Sequence, residues 1–567
     1  MSQDDTKKLQ KPDYYISQIA FNNGQTETIK QNDIVVFVGP NNVGKSQALK
    51  DIYDLTKSTV LPGTVIQNIT VNKNRDFDIV DYLEHVATIG TEINLKKYNG
   101  FDYHIREDQI RRFNNTPNYQ ELRGLFVGFI KTDNRLSICT PPQQIDQTSP
   151  ISHPIHQLVR NSDFRKKVAD IFQKAFGEPI TPNSVFGQHI PLCLGRIPTP
   201  QELSGNDAQE CFEDYSRILS SYPLLHLQGD GMRSFAGILL YLIIDTYLTY
   251  LVDEPEAFLH PPQAAIMGEV IASTLTCKQQ AFISTHSRHI IKGLLSQAPD
   301  RVKIIRITRK KNTNSFSVLE NQKIFELWND PLLKHSDIMD GMFYKNVVVC
   351  ESDADCRFYS IVNSFLKEQQ QKFSETLFVH CGGKGRMKKV VQALRSLNID
   401  FRVVPDIDLL NNKQTLIDLV EACGETWDKD VDYNTLVDGL EKVKNSTGNE
   451  ILEQIKNELG KDLTQPLSRT KIEKLQNILV VKTNWDQIKK FGIAGAPQGQ
   501  ATQALQNLVD WLKEFNIHLV PCGELECFIK TIGGHGPDWL NDVLENYPDI
   551  GADEYIAARN FVASWNL

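Results

Sequence analysis

Short apolar runs alternate along this chain with segments whose apolar residues recur at helical spacing. In the first half, such runs predict strands at 15–21, 26–29, 34–38, 250–252 and 280–284. In the same half, helices are predicted from about 44, and at 201–219, 235–250 and 262–274. In the second half, strands are predicted at 347–350, 376–380, 401–405 and 517–521, and helices at 354–368, 385–397 and over much of 413–480. Strands that alternate with helices are typical of parallel α/β sheets, which we expect in both halves.

A chain of 567 residues is too long for a single hydrophobic core. The change of pattern near residue 340 predicts two domains, 1–340 and 341–567. Residues 57–200 carry no motif, and we interpret them as an inserted arm or dimerisation element within the first domain. Residues 411–515 are interpreted as a helical insertion in the second.

Composition excludes some classes of protein. A net charge of −9 argues against a protein whose whole surface is basic, although it allows a local basic groove for DNA. Ten cysteines without CxxC pairs or zinc spacing favour a reducing compartment, so we expect a cytoplasmic protein. The first residues have no apolar core, and the longest apolar run, 235–244, is too short to span a bilayer. We therefore expect neither a signal peptide nor a membrane partner.

A phosphate-binding loop is predicted at residues 39–46, which read GPNNVGKS. It follows an apolar strand and opens a helix, so backbone N–H groups and the helix N-terminus face the phosphates. Lys45 is predicted to reach the β- and γ-phosphates of ATP, and Ser46 to hold Mg²⁺. The predicted nucleotide-binding residues of the loop are Gly39, Asn41, Asn42, Gly44, Lys45 and Ser46.

A paired carboxylate motif follows at 251–261, which reads LVDEPEAFLHP. Asp253 is predicted to bind the Mg²⁺ of the nucleotide and Glu254 to polarise the attacking water. His286 lies just beyond the next predicted strand, where it would sense the γ-phosphate.

These residues resemble the ATPase heads of the ABC/SMC/Rad50 class, through the EPEAFLHP continuation and the histidine after the next strand. The resemblance implies two heads that hold ATP between them, with a signature loop of one head on the γ-phosphate bound by the other. The candidate loop is LQGDGMRS at 227–234. It departs from the family pattern at Asp230 and Gly231, where a serine and a glycine are usual.

A second acidic constellation lies in the C-terminal half. The strand at 347–350 ends in Glu351, and the strand at 401–405 ends in Asp406 and Asp408. Parallel strands bring their C-terminal ends to one edge of a sheet, so we expect these three carboxylates to converge. Such a group requires a cation, and its oxygen ligands suit Mg²⁺ or Mn²⁺.

This constellation resembles the Toprim domain, whose first strand ends in a Glu-Gly-x-x-Asp motif and whose later strand ends in Asp-x-Asp. Glu351 and Asp355 match the first motif, and both are expected metal ligands, while Ser352 replaces the usual glycine. A basic segment between the two motifs offers candidates for contact with the DNA backbone: Lys384, Arg386, Lys388 and Lys389.

The nuclease branch of Toprim proteins implies further residues in LVPCGELECFIK at 519–530. A glutamate there helps to bind a second metal; we choose Glu526, with Glu524 as the alternative. A basic residue nearby stabilises charge, and Lys530 or His535 fits that role.

An ABC-type head followed by a Toprim domain is the architecture of the OLD (overcoming-lysogenisation-defect) family nucleases. The resemblance implies an α/β fold: an ABC/SMC-type P-loop head with an inserted helical or dimerisation element, then a Toprim domain with helical additions. It also implies an ATPase and metal-dependent DNA endonuclease, assembled as a homodimer or higher oligomer, in bacterial anti-phage defence. Members act alone, with a helicase-like partner in Gabija-type systems, or with a reverse transcriptase and its RNA–DNA product as retron effectors.

Two alternatives stay open at this point. One is a regulatory ATPase whose Toprim domain binds DNA without cleaving it. The other is a repair ATPase of the SMC/Rad50 kind, although the ~200 residues between the nucleotide motifs show no sustained heptads of the coiled-coil arm that such proteins carry.

Overall fold

A computed structural model describes residues 11–57, 62–74, 76–92, 95–101, 103–146, 151–203, 207–244, 246–310, 313–319, 337–441, 448–459, 471–472, 475 and 484–567. The chain divides into two compact units, Met1–Asn329 and Asp330–Leu567. This division falls slightly before the boundary predicted near residue 340.

The strands are numbered in chain order. Those of the first unit are β1 Tyr14–Phe21, β2 Thr26–Thr28, β3 Ile34–Val38, β4 Ile66–Lys73, β5 Thr88–Glu92, β6 Leu95–Gly100, β7 Tyr103–Arg106, β8 Val127–Ile130, β9 Ile180–Pro182, β10 Leu192–Leu194, β11 Thr249–Asp253, β12 Gln280–Ser284, β13 Val302–Lys310 and β14 Thr313–Leu319. Those of the second unit are β15 Asn346–Cys350, β16 Thr376–His380 and β17 Asp400–Val404.

The described α-helices lie between these strands and, in the second unit, also after the last of them. Those of the first unit are Lys45–Lys57, Ile79–Val86, Glu107–Asn114, Arg123–Phe126, Thr132–Ser137, Pro154–Arg160, Ser162–Phe176, Ala208–Ser221, Asp230–Leu242, Pro261–Thr274 and Arg288–Gln297. Those of the second unit are Asp353–Gln369, Met387–Ser396, Lys413–Cys423, Asp430–Glu441, Gly448–Leu459, Asn484–Phe491, Gln500–Glu514, Gly536–Asn546 and Ile556–Ala563.

A six-stranded sheet forms the centre of the first unit, in the order β14-β13-β3-β12-β11-β8. All neighbours are parallel except the β13–β14 hairpin. Every residue of β3 is buried, as an apolar strand with helices on both faces requires. The C-terminal ends of β3, β11 and β12 lie at one edge, so the loops that follow them meet there. This is the α/β sheet expected of an ABC-type ATPase head.

Some strands of residues 57–200 belong to the sheets of the first unit, and others form an additional sheet. The strand β4 pairs with β1 in the antiparallel sheet β2-β1-β4, and β8 is an edge strand of the central sheet beside β11. Only part of the region, including the separate antiparallel sheet β5-β6-β7, is an addition to the core. The prediction of one inserted arm across 57–200 is therefore too broad, because the short strands β4 and β8 carry no motif that marks them as core.

Three predicted elements are wrong in detail. The helix predicted at 201–219 begins only at Ala208, where the Asp207 side chain caps it by accepting from the Glu210 N–H. The helix predicted at 235–250 ends at Leu242, because an uninterrupted apolar run does not distinguish a buried helix from the buried strand β11 that follows it. The segment 517–521 is not a strand. Ile517 forms an isolated parallel bridge with Val403, and the His518 N–H donates to the Val403 carbonyl at 2.8 Å.

The second unit is built on a three-stranded parallel sheet in the order β16-β15-β17. Cys350, at the end of β15, is in register with Val404, at the end of β17. The helix Asp353–Gln369 covers one face, where an aromatic core includes Phe358 and Tyr359. The residues that follow β15 and β17 therefore emerge side by side at one edge of the sheet.

Candidate nucleotide and metal sites

The loop between β3 and the helix Lys45–Lys57 has the backbone that a phosphate-binding turn needs. Gly39, Asn42 and Gly44 have φ values of 141°, 60° and 100°, a left-handed region that glycine enters most readily. A Cβ at Gly39 would overlap the carbonyl oxygen of Ile307, so no other residue fits there. Asn41 is exposed in the loop and Ser46 lies in the first turn of the helix, which is where the motif puts each of them.

Lys45 is buried inside this loop, with 5% of its surface exposed. Its Nζ donates to the carbonyl oxygens of Gly39 at 2.9 Å and Pro40 at 2.7 Å. Burial lowers the pKa of Lys45 to about 8, and the charges of Glu254 and other nearby carboxylates oppose that shift. The ammonium group therefore lies within the electrostatic reach of the acidic pair at the end of β11.

The acidic pair follows β11, next to the end of β12. Asp253 accepts a hydrogen bond from the Ser284 hydroxyl, its partner in the β11–β12 register. The Glu254 carboxylate lies 3.5 Å from Nε2 of His286, and this contact is the main cause that lowers the pKa of Glu254. Lys45, Asp253, Glu254 and His286 are thus brought together, as the three motifs predicted.

Two residues of this site were missed by the sequence reasoning. Arg135 is fully buried, and its Nη1 donates to the carbonyl oxygens of Asp253 and Glu254, each at 3.0 Å. Glu256 accepts from the Thr285 hydroxyl at 2.9 Å and from the His286 N–H at 2.6 Å. The second glutamate of the EPE sequence was a signal for Glu256, whereas nothing local marks Arg135.

The candidate signature loop, 227–234, consists of three residues before the helix Asp230–Leu242 and the first turn of that helix. Asp230 stands in the first turn, and the Arg233 guanidinium pairs with its carboxylate at 3.1 Å. Leu227 is 72% exposed just before the helix. The segment has a helix N-terminus on the surface, and its role in ATP binding stays a prediction.

The carboxylates of the second unit converge as predicted. Glu351 follows β15, Asp406 follows β17, and Asp408 lies in the 3₁₀ turn Ile407–Asn411. One ligand oxygen from each residue lies within 4.8 Å of the other two. The Asp406 N–H also donates to Oε1 of Glu351 at 3.3 Å, which holds the two strand ends together.

The electrostatics of this group favour a bound cation. Burial raises the pKa of Glu351 to about 7, with Lys384 opposing the shift and Asp408 adding to it. Burial also raises the pKa of Asp406 well above its usual range, and the charge of Glu351 adds to that effect. Lys384 supplies part of the missing positive charge, because its Nζ lies 2.8 Å from Oδ1 of Asp408. Three carboxylate oxygens in this setting fit a hard divalent ion such as Mg²⁺ or Mn²⁺.

A second group adjoins the first and consists of Glu524, Glu526 and His535, again with ligand atoms within 4.8 Å of one another. Backbone bonds bring this segment to the end of β17, since the Ile407 N–H donates to the Gly523 carbonyl at 3.1 Å. The charge of Glu524 contributes to the raised pKa of Asp406, so the two groups influence each other.

Fixed hydrogen bonds orient this second group. Glu526 accepts from the Gly536 N–H at 2.8 Å, and its Oε1 lies 3.5 Å from Nδ1 of His535. The sequence left the choice between Glu524 and Glu526 open, and the structure places both glutamates in this group together with His535.

The structure places Asp355 and Lys530 in other surroundings. Asp355 belongs to neither group of potential metal ligands: it accepts from the Ser352 N–H at 2.8 Å in the capping box of the helix Asp353–Gln369. Lys530 lies with its Nζ 5.5 Å from the centre of the Phe491 ring. A different lysine is beside the carboxylates, because Nζ of Lys489 lies 3.3 Å from Glu524. Lys489 was missed, since it follows a long stretch without any motif.

The basic residues of the segment after β16 have different neighbours. Lys384 faces the carboxylate group through Asp408, while Lys388 pairs with Asp418 at 3.3 Å. Arg386 is exposed. The predicted contacts of this segment with DNA stay predictions.

Comparison with known proteins gives one similar sequence and several similar folds. The chain is 22% identical over 302 residues to the Old nuclease of Escherichia phage P2. The match covers 50% of this chain and 49% of the phage protein, so the chain spans about half the length of the curated OLD relative that it matches.

Solved ATPase heads are also similar to the chain at low identity. An Smc head bound to the C-winged helix domain of ScpA has a TM-score of 0.33 and 12% identity, and covers 55% of this chain and 99% of its own. The SMC head domain from Thermotoga maritima has a TM-score of 0.28 and 11% identity, and covers 55% of this chain and 100% of its own. No family model matches the chain. Across the described residues, every helix is too short or too polar to cross a membrane.

Proposed function

We propose that this protein is an ATP-regulated, divalent-metal-dependent DNA endonuclease. The observation that carries the proposal is the convergence of Glu351, Asp406 and Asp408 within 4.8 Å at one edge of a parallel sheet. Oxygen donors in this arrangement hold Mg²⁺ or Mn²⁺, and such an ion supplies Lewis-acid activation of a phosphodiester. The similarity to a protein named Old nuclease supports the same reaction class.

The neighbouring side chains have roles that follow from their positions. Lys384 and Lys489 stand beside the carboxylates and would bind the phosphates of the DNA strand to be cut. Glu524, Glu526 and His535 could hold a second divalent ion next to the first. Asp355 contributes in this scheme through the cap of the helix Asp353–Gln369, and burial raises its pKa, with the charge of Glu526 adding to that shift.

The first unit would bind and hydrolyse ATP. Lys45 would bind the β- and γ-phosphates, and Ser46 and Asp253 would hold Mg²⁺. Glu254 would take up the proton of the attacking water, and His286, 3.5 Å from Glu254, would orient it toward the γ-phosphate. We propose that the nucleotide state controls access of DNA to the carboxylate site.

The assembly and the biological context belong to the proposal as well. The OLD resemblance supports a homodimer or higher oligomer in the cytoplasm that acts in anti-phage defence. A separate partner of the helicase-like or reverse-transcriptase kind, the latter with RNA–DNA, is consistent with that context. The repair ATPase alternative is less well supported, because the longest described helix between the two nucleotide motifs is the 15-residue Ser162–Phe176.

The non-cleaving alternative rests on Ser352, which stands where Toprim domains usually have glycine, and on the open choice between Glu526 and Glu524. The Ser352 hydroxyl accepts from the Asp355 N–H at 3.3 Å and so caps the helix Asp353–Gln369. A serine N-cap is compatible with the strand end that presents Glu351. The substitution therefore gives no reason to assign an inactive site.

Cleavage of supercoiled plasmid DNA tests the proposal. Wild type, Asp406→Asn and Asp400→Asn should be compared with Mg²⁺ or Mn²⁺ and with EDTA. Asp400 is a matched control, because it begins the same strand, β17, that Asp406 follows. We expect Asp406→Asn to cut at least about 100-fold more slowly and Asp400→Asn to cut normally. Equal cutting by wild type and Asp406→Asn, or wild-type DNA binding without any metal-dependent cutting, contradicts the proposal.

A further inference from the structure

Glu256 connects the loop after β11 to the loop after β12. One carboxylate oxygen accepts from the backbone N–H of His286 at 2.6 Å, and the other accepts from the Thr285 hydroxyl at 2.9 Å. The two oxygens therefore bind His286, the histidine of the nucleotide site, and Thr285, the residue before it. Asp253 and Glu254 have roles in the proposed hydrolysis, whereas Glu256 has none so far.

The backbone after β11 explains why Glu256 reaches the neighbouring loop. Glu254 has a φ of 46°, and the Ala257 N–H donates to the Glu254 carbonyl at 3.0 Å, so the chain turns sharply after the strand. The Glu254 N–H donates to the Ser284 carbonyl at 3.0 Å, which continues the β11–β12 pairing to the start of this turn. The turn directs Glu256 back over the end of β12.

The consequence is a fixed geometry between two functional side chains. Glu254 and His286 come from different loops, yet Nε2 of His286 lies 3.5 Å from the Glu254 carboxylate. Glu256 belongs to the turn that presents Glu254 and is bonded to the backbone of His286. It thus adds a link from its side chain to the backbone of the other loop, at the point where the two loops must be aligned.

We propose that Glu256 is a positioning residue for ATP hydrolysis, which holds His286 in line with Glu254 and the γ-phosphate. This inference rests on the proposed function of the first unit. Glu256 does not touch the nucleotide in this scheme; it acts through the backbone of His286. Misplacement of a reacting group by about 1 Å can cost about 100-fold in rate, so the link matters for turnover more than for binding.

The role of Glu256 as an acceptor distinguishes its variants. In Glu256→Gln, the amide oxygen can accept from the His286 N–H while the amide N–H₂ donates to the Thr285 hydroxyl, so the geometry survives without the charge. In Glu256→Ala both bonds are lost. Positioning therefore predicts that glutamine restores activity, whereas a role for the negative charge predicts that glutamine fails as alanine does.

Steady-state ATP hydrolysis by the full chain is the test. We expect Glu256→Ala to lower kcat about 10- to 100-fold with less than about a twofold change in KM, and Glu256→Gln to keep at least about half of kcat. Glu269→Gln is the control, since Glu269 is an acid of the next helix that pairs with Lys174 at 2.6 Å. If Glu256→Ala does not fold, Thr285→Val removes one of the two bonds and should lower kcat by a smaller factor.

A double variant separates this inference from the function on which it rests. If Glu256 acts through His286, then Glu256→Ala should cause no further loss of kcat in a His286→Ala background. Equal, independent losses from the two substitutions, or a glutamine variant as slow as alanine, overturn the positioning role. Unchanged hydrolysis by His286→Ala alone instead refutes the role proposed for His286, and with it this inference.

Discussion

The nucleotide site and the carboxylate site are assembled in different ways. The nucleotide site consists of three short motifs, each at the end of a central strand, and one motif already holds Lys45 and its loop in working form. The carboxylate site takes single residues that follow separate strands, Glu351 after β15 and Asp406 after β17, and Lys489 lies beside the adjoining group without belonging to any motif. The nucleotide site is therefore predicted almost completely from local motifs, whereas part of the surroundings of the carboxylate site, such as Lys489, is found only in the tertiary structure.

The two sites also differ in charge balance. At the nucleotide site, His286 pairs with Glu254 and the buried Arg135 binds the adjacent carbonyls. At the carboxylate site, burial raises the pKa values of Glu351 and Asp406, and the charges of the neighbouring carboxylates add to both shifts. On the proposed function, the first site binds an anion with its Mg²⁺ ion, and the second binds a bare divalent cation.

The largest expected effect is a separation of the two binding functions. Lys45→Ala should weaken binding of ATP at least about 100-fold and leave Mn²⁺ binding at the carboxylates unchanged, because the Lys45 ammonium serves only the phosphate loop. Asp406→Asn should weaken Mn²⁺ binding at the carboxylates and leave ATP binding unchanged. Calorimetry with a non-hydrolysable ATP analogue measures the ATP affinity. Titration with Mn²⁺, followed by electron paramagnetic resonance, measures the metal affinity. A single substitution that abolishes both would show that the sites are not independent.

Arg135 should matter for stability as well as for the nucleotide site. Arg135→Met leaves the carbonyls of Asp253 and Glu254 without their donor, and we expect a loss of about 2–4 kcal/mol in the free energy of unfolding. Urea denaturation provides the measurement. Arg217→Met is the control, because the exposed Arg217 pairs with Asp214 on the surface of a helix and should change stability by less than about 0.5 kcal/mol.

The two candidate lysines of the carboxylate site should separate in a cleavage assay. Lys489→Met should lower the rate of DNA cutting at least about tenfold, because it removes a cation 3.3 Å from Glu524. Lys530→Met should change the rate less than about twofold, since its Nζ lies over the Phe491 ring. The reverse order of effects would restore Lys530 as the basic residue of the site.

The raised pKa of Glu351 makes the second unit sensitive to pH. Between its ordinary pKa of 4.5 and its folded value of about 7, the folded state holds a proton that the unfolded state has released, so stability in EDTA should fall as pH rises through this range. Mn²⁺ displaces that proton, so its apparent affinity should rise about tenfold per pH unit up to about 7. Urea titrations with EDTA or Mn²⁺ measure both trends, and Glu351→Gln should flatten the first.

The smallest effect should come from the helix cap beside the carboxylates. Ser352→Ala removes the acceptor of the Asp355 N–H and should cost about 1 kcal/mol, while Ser352→Gly should cost only a few tenths. Cutting by the glycine variant should match wild type. A large loss of cutting with either substitution, at unchanged stability, would mean that Ser352 contributes to the reaction itself.

Local patterns account for the parts that the sequence predicted. The bounds of β3, β12 and β16 agree with the predicted strands, and the phosphate loop and acidic pair stand where the motifs put them. The convergence of Glu351 with Asp406 followed from the parallel sheet alone.

Contacts between distant segments account for the parts that were missed. Arg135 reaches residues 118 and 119 positions away, and Lys489 approaches Glu524 after a stretch without motifs. The strand β8 belongs to the core sheet only through its pairing with β11. None of these neighbours is encoded in a periodicity or a motif, because tertiary packing alone selects them.

One set of backbone bonds has an evolutionary consequence. The chain leaves the tip of β17 at Pro405, and it returns to the same place when the Val520 N–H donates to the Pro405 carbonyl at 3.1 Å. The segment between Pro405 and Val520 is therefore a detour whose two ends are held side by side by this hydrogen bond. Insertions or deletions within this detour are therefore expected to leave the acidic residues at its two ends in place, whereas loss of Lys489 from it would change the site.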